Sequence, residues 1–349
     1  MDRGGTRRLR ELKDMSRVIW NRERDAISES TVNIVGQYCS AQADTLNFIE
    51  PGRHEIAIFR GDERVWEGPI TRLAYTREGV GVFSRDVMHY SYRTVMHAGY
   101  DSRHPLTETV VGRAYRIMMA ELARKEALGY NLLDHIVEHH FPNEAETSTN
   151  TYPYQDTVFN HIDQLAAKAG MDYVTIGRAV HLIDTSRPLG MTRVVTENDF
   201  LGEMTVSVYG MELATAAFVT DQQGTYGSAG GNHAYYGEVE ILSAPYNEEE
   251  DGSAPSAAIM ATQAARNLDG RLPTPLQVRV PDNSSLNPNG VLKVTDLVPG
   301  VYVPLRATLQ IRPVQQMQKI KSVKFTEEAS GEKIEVTMYP ASESDDVEV

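Results

Sequence analysis

Five residues near the middle of the chain, His135-Ile136-Val137-Glu138-His139, satisfy the H-x-x-E-H spacing of inverzincin metallopeptidases. On a helix the two imidazoles fall one turn apart on one face. Both can then bind Zn²⁺ while Glu138 serves as base toward a metal-held water. A third ligand is required, and Glu212 suits it by sequence distance, with Glu203 as another candidate. An ordinary reading competes. The segment NLLDHIVEHH reads as a helix stopping at Phe141-Pro142, with Leu132, Leu133, Ile136 and Val137 as its apolar stripe. The histidines are then exposed near a helix C-terminus, where they are favourable without any metal. The ordinary reading is preferred, so no metal or other cofactor is expected.

Other catalytic patterns are weaker. No G-x-S-x-G occurs, Ser84-Arg85-Asp86 and the scattered His89, His97 and His104 form no nucleophile elbow, and Cys39 sits in a polar turn without a local signature. The stretch from Tyr226 to Gly237 lacks both the spacing and the basic residues of a phosphate loop. It reads as a mobile surface loop, and its tyrosines suit a host-surface glycan-binding module as an alternative function. Carboxylates are abundant, but abundance alone favours solvated surface acid over a glycosidase pair. No catalytic residue is nominated.

The elements that would position these residues fall into three groups. Residues 15–88 alternate with period two: Val32 and Ile34, then Ile56 and Ile58, with HEIAIFR and ERVWEGPI joined by a Gly61-Asp62 hairpin turn. Residues 89–189 carry helical spacing in TVVGRAYRIMMAELARKEAL (Val111, Tyr115, Met118, Leu122). A further helix runs through Val158, Ile162 and Leu165, with Asp156 as its cap and Gly170 as its end. The strands MDYVTI and AVHLID then turn at Gly177-Arg178. From 190 to 340 strand patterns return: Met204, Val206 and Val208, then EVEIL, LQVRV, RATLQI, SVKF and KIEVTMY. They are interrupted by the Gly-rich loop 221–237 and a helical insertion at about 251–270. The expected fold is a β-dominated α+β chain: two β-barrel-like domains with an inserted helix-and-hairpin domain. A basic arm (1–14) and an acidic tail (341–349) flank it as mobile ends.

With 349 residues and 41% apolar content the chain is globular. Its 34 basic against 48 acidic residues, net charge −14, oppose a phosphate-coating mode of nucleic-acid binding. One cysteine excludes an intrachain disulfide, and no apolar run reaches the length of a membrane span. Residues 1–24 carry eight Lys or Arg against four acids without an apolar signal core, so the chain is expected to begin in a cytoplasm. Arg7, Arg8 and Arg10 are either solubilising or dock on an acidic neighbour.

In order along the chain, several short stretches resemble minor tail proteins of long-tailed actinobacteriophages, of the tail-tip (baseplate) hub family. They are Trp20-Asn21-Arg22-Glu23-Arg24-Asp25 with Ile27-Ser28, Pro51, Arg53-His54-Glu55 and Trp66-Glu67-Gly68-Pro69-Ile70-Thr71-Arg72. Leu165-Ala166, Gly170-Met171-Asp172, Gly177-Arg178 and Thr196-Glu197-Asn198-Asp199-Phe200 follow. One departure is Gly52, where an aromatic is expected beside Pro51. The resemblance implies a non-enzymatic homotrimer whose barrels form a six-lobed ring, adapting a six-fold tail tube to a three-fold tip. It implies residence at the virion tail tip after synthesis in the bacterial host. The implied partners are a distal tail protein, a tape measure protein and other tail-tip proteins, with DNA only in transit. Trp20 and Trp66 are the aromatics nominated for subunit contacts, alongside Arg7, Arg8 and Arg10. The acidic balance suits a lumen that repels phosphate. The alternative enzyme is a zinc-dependent cell-wall hydrolase using His135, Glu138 and His139.

Overall fold

The structure is a computed structural model that describes residues 1–100, 109–139, 153–169, 171–184, 188–202, 213–221, 224–244, 256–268, 271, 280–309 and 312–341. Strands β1 (Met15–Glu23) and β2 (Glu29–Val35) follow the period-two pattern, turning Val18, Trp20 and Arg22, and Ser30, Val32 and Ile34, to the interior. Short helices α1 (Gly36–Cys39) and α2 (Ala43–Phe48) lead into β3 (Glu55–Arg60). The chain turns at Gly61, φ +60°, into β4 (Glu63–Tyr75) and then β5 (Gly79–Arg85). Gly68 is dictated by a close approach, since an added Cβ would lie 1.8 Å from the Arg85 carbonyl oxygen. The first residues are tied down rather than mobile: the Met1 amino group donates to Glu55 O at 2.8 Å, and the Arg3 guanidinium donates to Gly52 O at 3.1 Å.

After helix α3 (His89–Tyr92) the chain builds a second unit. Helix α4 (Val110–Glu126) begins at Thr109, whose side chain accepts from the Gly112 N–H, and it buries Val111, Ala114, Ile117, Met118 and Leu122. The expected helix NLLDHIVEHH does not form. A single tight turn at Leu133–His135 runs into strand β6 (Ile136–His139), which lies parallel to a later strand, with Ile136 opposite Val180 and Val137 opposite His181. Two adjacent β-branched residues with an edge to pair on favour this outcome. Helix α5 (Val158–Ala169) is capped by Thr157 rather than Asp156, its hydroxyl accepting from the Asn160 N–H at 3.2 Å. Strands β7 (Met171–Ile176) and β8 (Ala179–Asp184) form the expected hairpin around Gly177, φ +59°. Helices α4 and α5 pack on this three-stranded sheet around Ile117, Met118, Ile162, Leu165 and Tyr173.

Short strands β9 (Val195–Thr196) and β10 (Phe200–Leu201) bring the chain back to the first sheet. Strands β11 (Ala216–Thr220), β12 (Tyr226–Gly230) and β13 (Glu240–Ser243) make a small sheet backed by α6 (Ala257–Leu268). The Gly-rich stretch is therefore partly strand, not a mobile loop. Its Gly227 admits the helix, because a Cβ there would sit 2.1 Å from the Ala261 nitrogen. Strands β14 (Ser284–Leu286), β15 (Tyr302–Leu309), β16 (Arg312–Glu328) and β17 (Gly331–Pro340) complete the chain.

The described residues contain no closed barrel. Instead β1 pairs with β16, Trp20 opposite Phe325, so strands from both ends of the chain share one 11-stranded sheet of path β10-β14-β17-β16-β1-β2-β5-β4-β3, with β15 and β9 joined beside β16. The cause is the length of β16. Its first part, through Lys319, pairs with β15, while Ser322 to Glu328 pair with β1. The strand expected at 204–208, most of LQVRV, Gly170, the polar stretch 142–152 and residues 342–349 lie outside the described residues.

Candidate functional site

The sheet and the helical unit meet through buried charge, and two ends of β7 mark the junction. At one end the hairpin turn presents Arg178, whose Nη1 lies 2.5 Å from Glu55 Oε2 and 3.6 Å from Glu67 Oε1. Its Nε donates to Asn131 O at 3.3 Å and its Nη2 to Tyr130 O. Glu55 also accepts from the Tyr90 hydroxyl at 2.5 Å and the Gly4 N–H at 2.9 Å, while Arg64 Nη1 lies 2.6 Å from Glu67 Oε2. Glu55, Glu67 and Arg178 are buried. Burial pushes the Glu67 carboxyl up to about 7, against the opposing pull of Arg178. The Tyr90 hydroxyl is driven far above its ordinary range by burial and by Glu55 beside it.

At the other end Asp172 lies 3.0 Å from Arg24 Nη1, 3.6 Å from Lys319 Nζ and 3.8 Å from Arg266 Nη2. Asp25 takes φ +57° at the β1–β2 turn and accepts from the Tyr173 N–H at 2.9 Å. Burial first, and then the neighbouring Asp172 charge, push Asp25 up to about 7. Arg22 fastens the sheet to itself, donating to Val294 O at 2.9 Å, Leu297 O at 3.1 Å and Val65 O at 3.1 Å. Its burial lowers it to about 10. Asp86, where β5 ends, accepts from the Ser28 N–H at 2.7 Å and the Met88 N–H at 3.0 Å, and burial pushes it up to about 7. These carboxylates are engaged by cations or backbone N–H groups, and Glu55, Glu67, Asp86 and Asp172 are buried, while Asp25 keeps 26% of its side chain exposed. Such an arrangement holds two units together; it offers no open position to a substrate.

The residues nominated from sequence are distributed differently. The strand spreads His135 and His139 about 13 Å apart along the backbone, where a helix would stack them within one turn. His135 is half-buried, with its Nε2 3.5 Å from Asn131 Nδ2, and burial together with Arg178 lowers its basicity. Among the described residues no three His, Cys, Asp or Glu side chains gather as metal ligands. Glu203 and Glu212 lie outside the described residues. Trp20 and Trp66 are core residues, 0% and 2% exposed, Trp20 stacking on Phe325 at 3.9 Å, so neither is available to a neighbour. Arg7, Arg8 and Arg10 are exposed; Arg8 pairs with Glu11, and Arg10 stands 5.3 Å over the Phe48 ring. The departure at Gly52 has a local cause: its φ of +77° suits glycine.

The clamp itself was not singled out from sequence, although its members, Arg22, Arg24, Asp25, Glu55, Glu67, Asp172 and Arg178, all stand in the stretches that carried the resemblance. One signal was present. Arg22 shares the inward phase of Val18 and Trp20, so a charge on the core face was legible.

No protein-family model matches the chain, and a search of curated proteins finds no relative. Solved structures do match over nearly the whole length. The 43 kDa tail protein of prophage MuSo2 from Shewanella oneidensis superposes with TM-score 0.60 at 11% identity, covering 93% of this chain and 94% of its own. A tail protein from Neisseria meningitidis gives 0.58 at 11% identity, over 95% and 93% of the two chains. An Escherichia coli component of the type VI secretion system, itself similar in structure to bacteriophage T4 tail proteins, gives 0.52 at 13% identity, over 97% and 78%. The chain shares its fold with these tail proteins.

Proposed function

We propose that this chain is a non-enzymatic structural subunit of a phage-type tail, placed at the tail tip as a homotrimeric hub. The two halves of its shared sheet, built from strands within 15–88 and within 190–340, would each contribute one sector of a six-lobed ring around the DNA channel. Distal tail and tape measure proteins are the neighbours this role requires, and the acidic surface would keep passing DNA from sticking. The observation that carries the reading is the end-to-end match, 93% of this chain against 94% of a tail protein, which leaves little of the chain for a separate activity. Buried ion pairs at both ends of β7 support it, since a ring subunit must transmit force without its parts sliding. The test is electron microscopy of assembled particles with the chain tagged. Three copies forming six lobes at the tip are expected. Another copy number, another location, or complete infectious tails lacking the chain would refute the hub.

A further inference from the structure

The N-terminal segment carries a feature that the junction does not use. Arg3, Arg7 and Arg53, with His54 and a single carboxylate, Asp2, line a notch of about 420 Å³ whose apolar surface comes from Leu9, Phe48 and Leu128. Phe48 is 40% and Leu128 58% exposed, and Arg10 stands over the same Phe48 ring. The Arg7 N–H donates to Asp2 Oδ1 at 2.8 Å and its charge helps hold the Asp2 carboxyl low, leaving one acid against three guanidinium groups, and the pair Arg53–Glu50 is exposed on both sides. Cations gathered around exposed apolar carbon fit one kind of ligand, an acidic segment that also carries aliphatic side chains. Such a segment exists in this chain. Residues 342–349, SESDDVEV, hold Glu343, Asp345, Asp346 and Glu348, no base, and Val347 and Val349.

The geometry favours a neighbour's segment over the chain's own. Ala341 is fixed where its N–H donates to Met317 O at 2.9 Å, beside Tyr339, which meets Arg24 at the Asp172 end of β7. The notch lies beyond the opposite end, where Arg178 meets Glu55 next to His54. Asp172 to Gly177 spans about 17 Å of strand, and eight extended residues reach at most about 28 Å. Most of the chain's own segment would be spent in crossing, leaving Glu348 as the acid able to arrive. We propose that the notch takes residues 342–349 of a second copy of this chain. This inference rests on the reading that copies assemble, and it makes their contact heterologous, the kind that closes rings.

A fluorescent peptide of residues 340–349 titrated into the full chain tests it, alongside the chain carrying Arg7→Glu, Arg10→Glu and Arg53→Glu and a chain with its own tail neutralised (E343Q, D345N, D346N, E348Q). Saturable binding to the tail-neutralised chain is expected. It should weaken at least about tenfold on charge reversal and at high salt. Native chain should bind the peptide more weakly than the tail-neutralised chain and sediment as an oligomer that charge reversal dissociates. No saturable binding, equal binding of a scrambled peptide, or indifference to the three reversals overturns the proposal. A native chain that masks its notch while sedimenting as a monomer also overturns it, by showing the segment bound within one copy. Each of these results leaves the hub reading to the particle count.

Discussion

Replacing Arg178 by Met removes the cation at one end of the junction while keeping much of its aliphatic bulk. Four acceptors then lose their partner: Glu55, Glu67 and the carbonyls of Asn131 and Tyr130. Breaking a buried ion pair from one side costs about 3–5 kcal/mol, because the remaining charge stays buried and uncompensated. Arg64 still holds Glu67, so about 3 kcal/mol at pH 8 is the expected loss. The pH dependence follows from Glu67. Its folded value, about 7, lies above the ordinary carboxylate value, so it binds a proton on folding. Its contribution is complete below about pH 4 and is lost as pH rises through 7. Without Arg178 that value climbs further, so at pH 5 Glu67 is neutral in both chains, whereas at pH 8 only the native chain gains from ionising it beside a cation. The deficit relative to the native chain therefore grows from pH 5 to pH 8, and Glu67→Gln added to Arg178→Met recovers part of it. Urea unfolding followed by circular dichroism measures the loss, with the two tryptophans reporting on the sheet. A deficit below about 1 kcal/mol, or one equal at both pH values, refutes the clamp.

Trp20→Ala should destabilise by about 3–5 kcal/mol through the cavity left against Phe325, while Trp20→Phe loses less; denaturation midpoints decide. Asp86→Ala strands the N–H groups of Ser28 and Met88 and should cost about 2–4 kcal/mol. Because the Asp86 carboxyl is pushed up to about 7, the native chain loses its contribution as pH rises through 4 to 7, so this deficit shrinks between pH 5 and pH 8, opposite in sign to Arg178→Met. Protein purified without chelator should carry no stoichiometric zinc by elemental analysis, and His135→Ala should leave that unchanged; one zinc per chain lost on this substitution would reinstate the peptidase reading.

Local signals were the readable ones. The turns at Gly61 and Gly177 and the helices at Val110–Glu126, Val158–Ala169 and Ala257–Leu268 are written in neighbouring residues, and the structure places them where the patterns lie. NLLDHIVEHH misled because Leu132 and Ile136, four apart, satisfy a helical stripe as well as a turn entering a strand. Only the parallel partner at Val180 decides, and it is distant in sequence. The same applies to the single sheet, since nothing near Trp20 announces Phe325. Arg22 was visible as an inward charge, but its acceptors at Val65, Val294 and Leu297 could not be named from spacing. The clamp is legible residue by residue and invisible as a set.

The pairing of β1 with β16 sets a timetable for biosynthesis. The Trp20 ring leaves the ribosome about 300 residues before the Phe325 ring that covers it. At elongation speeds of about 5–20 residues per second, that wait lasts roughly 15–60 s. Throughout it the first hairpin presents an open apolar flank to the crowded cell interior. Nascent chains of this protein are thus natural clients for holding chaperones, and release of the final strands is the event that closes the molecule.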